Sequence, residues 1–384
     1  MKRLRLALAL LASAVFAQTP KVLPPIQRFA KPTGGTALAV RANDAPLVFI
    51  GQIFSADVSG EARLQAEGAL DALARALEKA GSSVSHVVRL NAYVSSDLAV
   101  DAVEASVAAR FAAAPPAFTL VRTSLRRAGA LVAFEAVAVT STTTDTVRII
   151  DQDAAVLPAG GKMFISGQAE KGADLATATR LTMAGLQRSL AHLGLGKADV
   201  VQVKAFIRPM NDHAAAQREI AASFGGAPPP VVLVEWQSDL FAEIELVVSA
   251  RALPAPAGGS IAFVTLPWLN QSLRYSHACH VAANTPLIFV GEITGGNPGE
   301  ARAQLKTAFE RLGSVLFESG SSYRTLVKAT YYLGDPKARA LLGDIRAVYF
   351  DPTRAPAASA LGVTGFARAG RVVSLDVIAV PVAK

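Results

Sequence analysis

The sequence predicts an α+β protein built from three tandem copies of one β-β-α-β-α-β-β unit. Three observations predict it. A short apolar strand closing on glycine occurs as Leu47-Val48-Phe49-Ile50-Gly51-Gln52-Ile53, Met163-Phe164-Ile165-Ser166-Gly167-Gln168-Ala169 and Leu287-Ile288-Phe289-Val290-Gly291-Glu292-Ile293. Each copy is followed by a long stretch of helical periodicity that ends at Gly81, Gly194 or Gly320. The order of the later elements is the same in all three, and Gly51, Gly167 and Gly291 stand 116 and 124 residues apart. Self-similarity at a steady period is the mark of a repeated supersecondary unit.

The glycine-ended runs are rich in β-branched and aromatic residues, as strands are. Glycine inside or at the end of a strand predicts a bulge or a close backbone approach. The stretches Glu61–Ala80, Leu175–Leu193 and Glu300–Ser319 place apolar residues at steps of three and four, which predicts amphipathic helices. The glycine after each is a C-terminal stop signal. Val87–Val94, Val200–Ile207 and Leu326–Leu333 alternate as strands with one buried face. Shorter helices follow at Val100–Ala113, His213–Phe224 and Lys337–Phe350. Proline-rich turns come next, around Pro115-Pro116, Pro228-Pro229-Pro230 and Pro356. Each unit then closes with a hairpin-like pair ending in Phe134–Val139, Ile244–Val248 or Leu375–Val380. Exposed linkers are expected near 141–147 and 253–262, where Thr, Pro and Gly accumulate. The units run over 18–142, 145–253 and 260–384, with 1–17 in front of them.

Residues 1–17 read as a secretory signal peptide. Lys2, Arg3 and Arg5 precede the apolar run Leu6–Phe16, and Val15-Phe16-Ala17 offers a cleavage site before Gln18, with Ala12-Ser13-Ala14 a second possibility. The run is shorter than the ~20 apolar residues of a membrane span. The expected product is periplasmic or secreted, with no membrane contact after cleavage. Loss of three basic residues and no acids takes the formal charge from +8 to +5. So mild a charge does not call for a nucleic-acid partner. Of 384 residues 51% are hydrophobic and 18% charged, which excludes a disordered chain and allows a large core. One cysteine, Cys279, excludes an internal disulfide framework and a cysteine-based zinc cluster.

The unit resembles the RidA/YjgF family, also called endoribonuclease L-PSP. The resemblance covers nearly all of the chain after the leader. It rests on the strand ending in Gly-Gln or Gly-Glu, on Ala80-Gly81-Ser82-Ser83, on a Lys- or Arg-bearing strand, on the Pro-Pro-Ala turn and on Glu135-Ala136-Val137-Ala138-Val139. The first unit matches best. Family members are homotrimers of a chorismate-mutase-like fold, with ligand clefts between subunits. Three RidA-like units in one chain therefore imply an internal pseudo-trimer and a monomeric protein.

The resemblance also implies where a small-molecule ligand would sit. Gly51, Gln52, Gly167, Gln168, Gly291 and Glu292 end the first strands and would line the clefts. The family's carboxylate-gripping arginine would follow the Pro-Ala of the turn, where this chain has Phe118, Val231 and Ala358. Without that guanidinium a cleft would favour neutral or cationic ligands. The family's last strand carries a glutamate that handles a water, and Glu135, Glu245 and Asp376 match it. A carboxyl in an apolar cleft has its pKa pushed upward, which suits general acid/base work. The expected function is binding or hydrolysis of a small enamine- or imine-type metabolite. The alternatives are a non-catalytic small-molecule-binding or chaperone-like module and, further off, RNA cleavage.

Other signals point to nothing more. His277-Ala278-Cys279-His280 has no partner at metal-ligand spacing, so no metal is expected. Thr33-Gly34-Gly35-Thr36 and Thr294-Gly295-Gly296-Asn297 are not phosphate loops, and no cofactor is implied. RNA binding would want arginines interleaved with aromatics, which the chain lacks.

Overall fold

A computed structural model describes residues 23–29, 35–366 and 368–383. The expected leader at 1–17 lies outside these. The first unit contributes β1 (Ile26–Phe29), β2 (Ala39–Ala42), β3 (Leu47–Ile53), α1 (Ala62–Lys79), β4 (Val87–Val94), α2 (Val100–Arg110), β5 (Ala117–Arg122) and β6 (Val132–Val139). The second contributes β7 (Arg148–Asp151), β8 (Ala154–Leu157), β9 (Lys162–Gln168), α3 (Leu175–His192), β10 (Val200–Ile207), α4 (His213–Ser223), β11 (Val231–Glu235) and β12 (Ala242–Ser249). The third contributes β13 (Ile261–Val264), β14 (Ala278–Val281), β15 (Leu287–Thr294), α5 (Ala301–Glu318), β16 (Leu326–Leu333), α6 (Pro336–Tyr349), β17 (Ala357–Gly362) and β18 (Val373–Ala379).

The long helices stop where the sequence says they should. Gly81, Gly194 and Gly320 have φ of 72°, 74° and 75°, the left-handed conformation that glycine enters without strain. In the first unit the Ser82 amide donates back to Leu77 and closes the last turn. Each helix lays its apolar stripe on one face of a sheet. Leu70, Leu73 and Leu77 of α1 pack with Val48, Ile50 and Phe134. Burial of each such side chain contributes roughly 1.5–3 kcal/mol.

Two features differ from the sequence reading. Each unit has three strands before its long helix, because a short hairpin precedes the glycine-ended strand. The closing strands also do not form a hairpin. β5 lies parallel to β4, while β6 runs antiparallel between β3 and β4, and the other two units repeat this.

The three six-stranded sheets do not coincide with the three units. Their orders are β5-β4-β6-β3-β8-β7, β11-β10-β12-β9-β14-β13 and β1-β2-β15-β18-β16-β17. Each sheet is therefore completed by the leading hairpin of another unit. The second unit's hairpin joins the first sheet, the third unit's joins the second, and the first unit's joins the third. β2 pairs with β15 through Leu287↔Ala42 to Val290↔Ala39 rather than with β3.

The free faces of the sheets meet in one apolar core. It takes Val40, Phe49 and Val88 from the first unit, Phe164 and Val201 from the second, and Phe289, Val327 and Ile378 from the third. Farther along the same strands lies an aromatic cluster with Tyr93, Phe206, Trp236 and Tyr332. No helix among the described residues is long and apolar enough to cross a membrane.

Candidate functional site

The charged residues that the strands turn inward lie between these two apolar layers. A register shift at the start of β4, β10 and β16 turns Arg89, Gln202 and Lys328 inward beside Val88, Val201 and Val327. Arg89, Lys328 and Lys204, two residues beyond Gln202 on the same strand, form three ion pairs, each across a unit boundary. Lys204 meets Glu135 at 2.8 Å, Lys328 meets Glu245 at 2.5 Å, and Arg89 meets Asp376 at 2.5 Å. The three cations and three carboxylates balance. All three acids are buried, at 1%, 5% and 2% exposure. Burial alone would raise the Glu135 carboxyl, but Lys204 and Arg89 hold it down to about 2, with help from the Tyr93 hydroxyl. Glu135, Glu245 and Asp376 thus lie in the interior, each locked to a cation from another unit.

The glycine-ended strands behave differently. Gly51, Gly167 and Gly291 each sit at a register shift, where one strand carries extra residues against its partner. Such bulges re-aim the next side chain. Gly51 and Gly291 also approach another unit. A Cβ on Gly51 would lie 3.3 Å from Pro230, next to Val231. One on Gly291 would lie 2.6 Å from the Phe118 amide nitrogen. Beside Gly167, the Ser166 hydroxyl accepts the Ala358 amide at 2.8 Å. The structure therefore brings Gly51 to Val231 and Gly291 to Phe118 across boundaries, and at the third boundary Ser166, not Gly167, meets Ala358.

The residue after each glycine meets a different end. Gln52 donates to the Leu233 carbonyl at 2.7 Å and accepts its amide at 3.3 Å, so it fills its boundary like an added strand residue. Gln168 turns back to Ser189 of its own helix at 2.8 Å. Glu292 stays open. Its Oε1 is buried with no hydrogen-bond partner. Burial pushes its carboxyl up to about 7, against smaller opposing pulls from Arg371 and Ser374.

Glu292 lines a cleft of about 270 Å³ between the third and first units, with Leu38, Phe118, Arg311, Val315 and Arg371. Two guanidiniums thus stand in a cleft whose turn carries Phe118 in place of arginine. Arg311 comes from α5 and donates to the Thr294 carbonyl at 3.2 Å. Arg371 precedes β18. Nothing in the repeat pattern marked either one, because the other units carry no arginine at the matching places.

Sequence reasoning also missed Glu243. It stands two residues before Glu245, the same-face spacing of a strand. Its carboxyl fills the space beside Gly167, where a Cβ would lie 2.0 Å from its Oε1. Burial pushes it up to about 7; Ser359 opposes that rise and Glu245 adds to it. Cys279 is buried, receives the Ala357 amide at 3.2 Å, and has its thiol pushed up to about 12 by burial. His277 is held by the Leu266 amide and the Asn270 carbonyl.

The sequence profile of the family described as endoribonuclease L-PSP matches residues 31–140 and 269–381. The middle unit lies outside both segments yet has the same order of elements. A RutC family protein of Synechocystis is 33% identical over 144 residues, which is 36% of this chain and 96% of that protein. Among solved structures, a YjgF-family protein of Neisseria meningitidis is 24% identical, covering 32% of this chain and 97% of its own, with a TM-score of 0.25. A YjgF/YER057c/UK114-family protein of Mycobacterium tuberculosis is 25% identical, covering 30% and 100%, with a TM-score of 0.24.

Proposed function

The chain belongs to the endoribonuclease L-PSP family, and from that premise we propose that it hydrolyses a small enamine- or imine-type metabolite in the cleft between its third and first units. The observation that carries this reading is the Glu292 carboxyl, whose buried Oε1 has no hydrogen-bond partner, in a cleft that also holds Arg371 and Arg311. The cleft is of metabolite size, well below what a folded RNA would need.

Near neutral pH the Glu292 carboxyl is shared between its two protonation states, as a group that gives and takes protons should be. In its acid form it delivers a proton to an enamine carbon or an imine nitrogen. As carboxylate it then takes a proton from water, whose oxygen adds to the C=N carbon. The resulting carbinolamine breaks its C–N bond, ammonia leaves and a carbonyl remains. Arg371 and Arg311 would hold a substrate carboxylate, supplying from α5 and the β18 approach the charge that Phe118 cannot. In the same reading the three sheets close as a pseudo-trimer within one monomer, and residues 1–17 direct the chain out of the cytoplasm.

The test is turnover of 2-aminoacrylate and 2-iminopropionate by the purified protein. Glu292→Gln is expected to reduce it by about 10²–10⁴-fold. Arg371→Gln is expected to raise KM about tenfold or more, as loss of one charged hydrogen bond does. Hydrolysis no faster than in buffer overturns the reading.

A further inference from the structure

A second, larger cavity lies at another unit boundary. It opens between the second and third units, where the chain leaves β10, β11, β16 and β17, and it measures about 1150 Å³. It shares no lining residue with the Glu292 cleft. Its floor is apolar, with Trp236, Leu240, Leu333 and Val363.

Three features of this groove ask for a ligand. Trp236 is 2% exposed, yet its indole N–H has no hydrogen-bond partner. A buried donor left unpaired is costly, so such a group calls for an acceptor. Arg208, from the second unit, donates to the Ser238 carbonyl. Arg339, from α6 of the third unit, donates to the adjacent Gln237 carbonyl at 3.1 Å. The two guanidiniums, one from each unit, are thus tethered to neighbouring peptide groups of one loop. Neither has a carboxylate within 4.0 Å among the described residues, so each keeps free donors.

Three acids also line the groove. Glu235 is engaged by the Ser124 hydroxyl and the Met210 amide, and Asp335 caps α6 by accepting the Lys337 amide at 2.7 Å. Asp239 stands exposed at the rim. The unengaged buried donor and the two tethered guanidiniums therefore line one groove.

We propose that this groove binds a small organic acid, its carboxylate held by Arg208 and Arg339 and its apolar body set against Trp236. Guanidiniums tethered in this way are pre-organised, so less freedom is lost when the anion arrives. The site joins two units, so its occupancy also ties the second sheet to the third.

The chain has two tryptophans, Trp236 and Trp268, so Trp268→Phe leaves Trp236 as the single indole reporter. Phenylacetate and its neutral amide, phenylacetamide, are titrated into this protein while Trp236 emission is followed. The expected result is a saturable change with phenylacetate and binding at least about tenfold weaker for the amide. Arg208→Gln with Arg339→Gln should weaken phenylacetate by about tenfold per guanidinium and leave the amide unaffected. Both side chains are exposed, so the fold does not depend on them. Equal binding of acid and amide, no saturable change, or an affinity indifferent to the two substitutions overturns the proposal. The acid and amide comparison needs neither arginine variant.

Discussion

Lys204 and Glu135 show what a buried charge demands of its partner. With both present, their mutual attraction offsets part of the loss of water. Lys204→Met leaves the Glu135 carboxylate facing only Arg89, Tyr93 and amide groups, and should cost about 3–5 kcal/mol in denaturant unfolding. The double variant with Glu135→Leu should recover most of that. The pH dependence has a fixed sign. Glu135 titrates at about 2 when folded against 4.5 ordinarily, so its contribution is complete above about 4.5 and is lost as pH falls toward 2. Glu292 and Glu243 act oppositely. Their folded values near 7 favour the protonated form, so they contribute most below about 4.5 and that contribution fades as pH rises through 7. Stability measured from pH 2 to 8 should rise on the acid side. In the Glu292→Gln protein the loss near pH 7 should be smaller.

At the scale of elements, the three bulged strands separate by what each glycine faces. Gly51 has a proline side chain at 3.3 Å, Gly167 has the movable end of Glu243, and Gly291 has the backbone of β5 at 2.6 Å. An added methyl can displace a carboxylate but not a strand. Gly291→Ala should therefore destabilise by about 1–3 kcal/mol, as overpacking does, and should also distort the Glu292 cleft. Gly51→Ala should cost under about 1.5 kcal/mol. Chemical denaturation of the two variants checks the order, and equal costs would contradict the close approach at Gly291.

The exchanged hairpins decide how the whole molecule behaves. No sheet is complete without a strand pair from another unit, and one apolar core draws on all three. Neither a sheet nor a unit can unfold alone without exposing that core and the edge of β3, β9 or β15. The chain should therefore unfold in a single calorimetric transition and sediment as a monomer. Separate transitions for separate units would contradict the shared core.

The sequence by itself determined the helices, the glycine-ended strands and the strands that follow the long helices. Val87–Val94, Val200–Ile207 and Leu326–Leu333 are strands over the residues their alternation marks, and the long helices end at their glycines. Those features are local, because periodicity and left-handed glycine act within a few residues. The bulge at each Gly-Gln or Gly-Glu was legible for the same reason. Only the tertiary structure decided which edge each hairpin joins. Pairing β2 with β3 or with β15 satisfies the same backbone groups, so nothing in Ala39–Ala42 distinguishes the two. It also decided what the acids do. Glu135, Glu245 and Asp376 read like cleft carboxylates until Lys204, Lys328 and Arg89, each from another unit, are brought to within hydrogen-bond reach. Glu292 reads as one variant among Gly-Gln ends until the fold places it in one cleft with Arg311 and Arg371. Charge partners 69, 83 and 287 residues apart leave no local trace, and it is those partners that set whether a buried carboxyl is locked or free to exchange a proton.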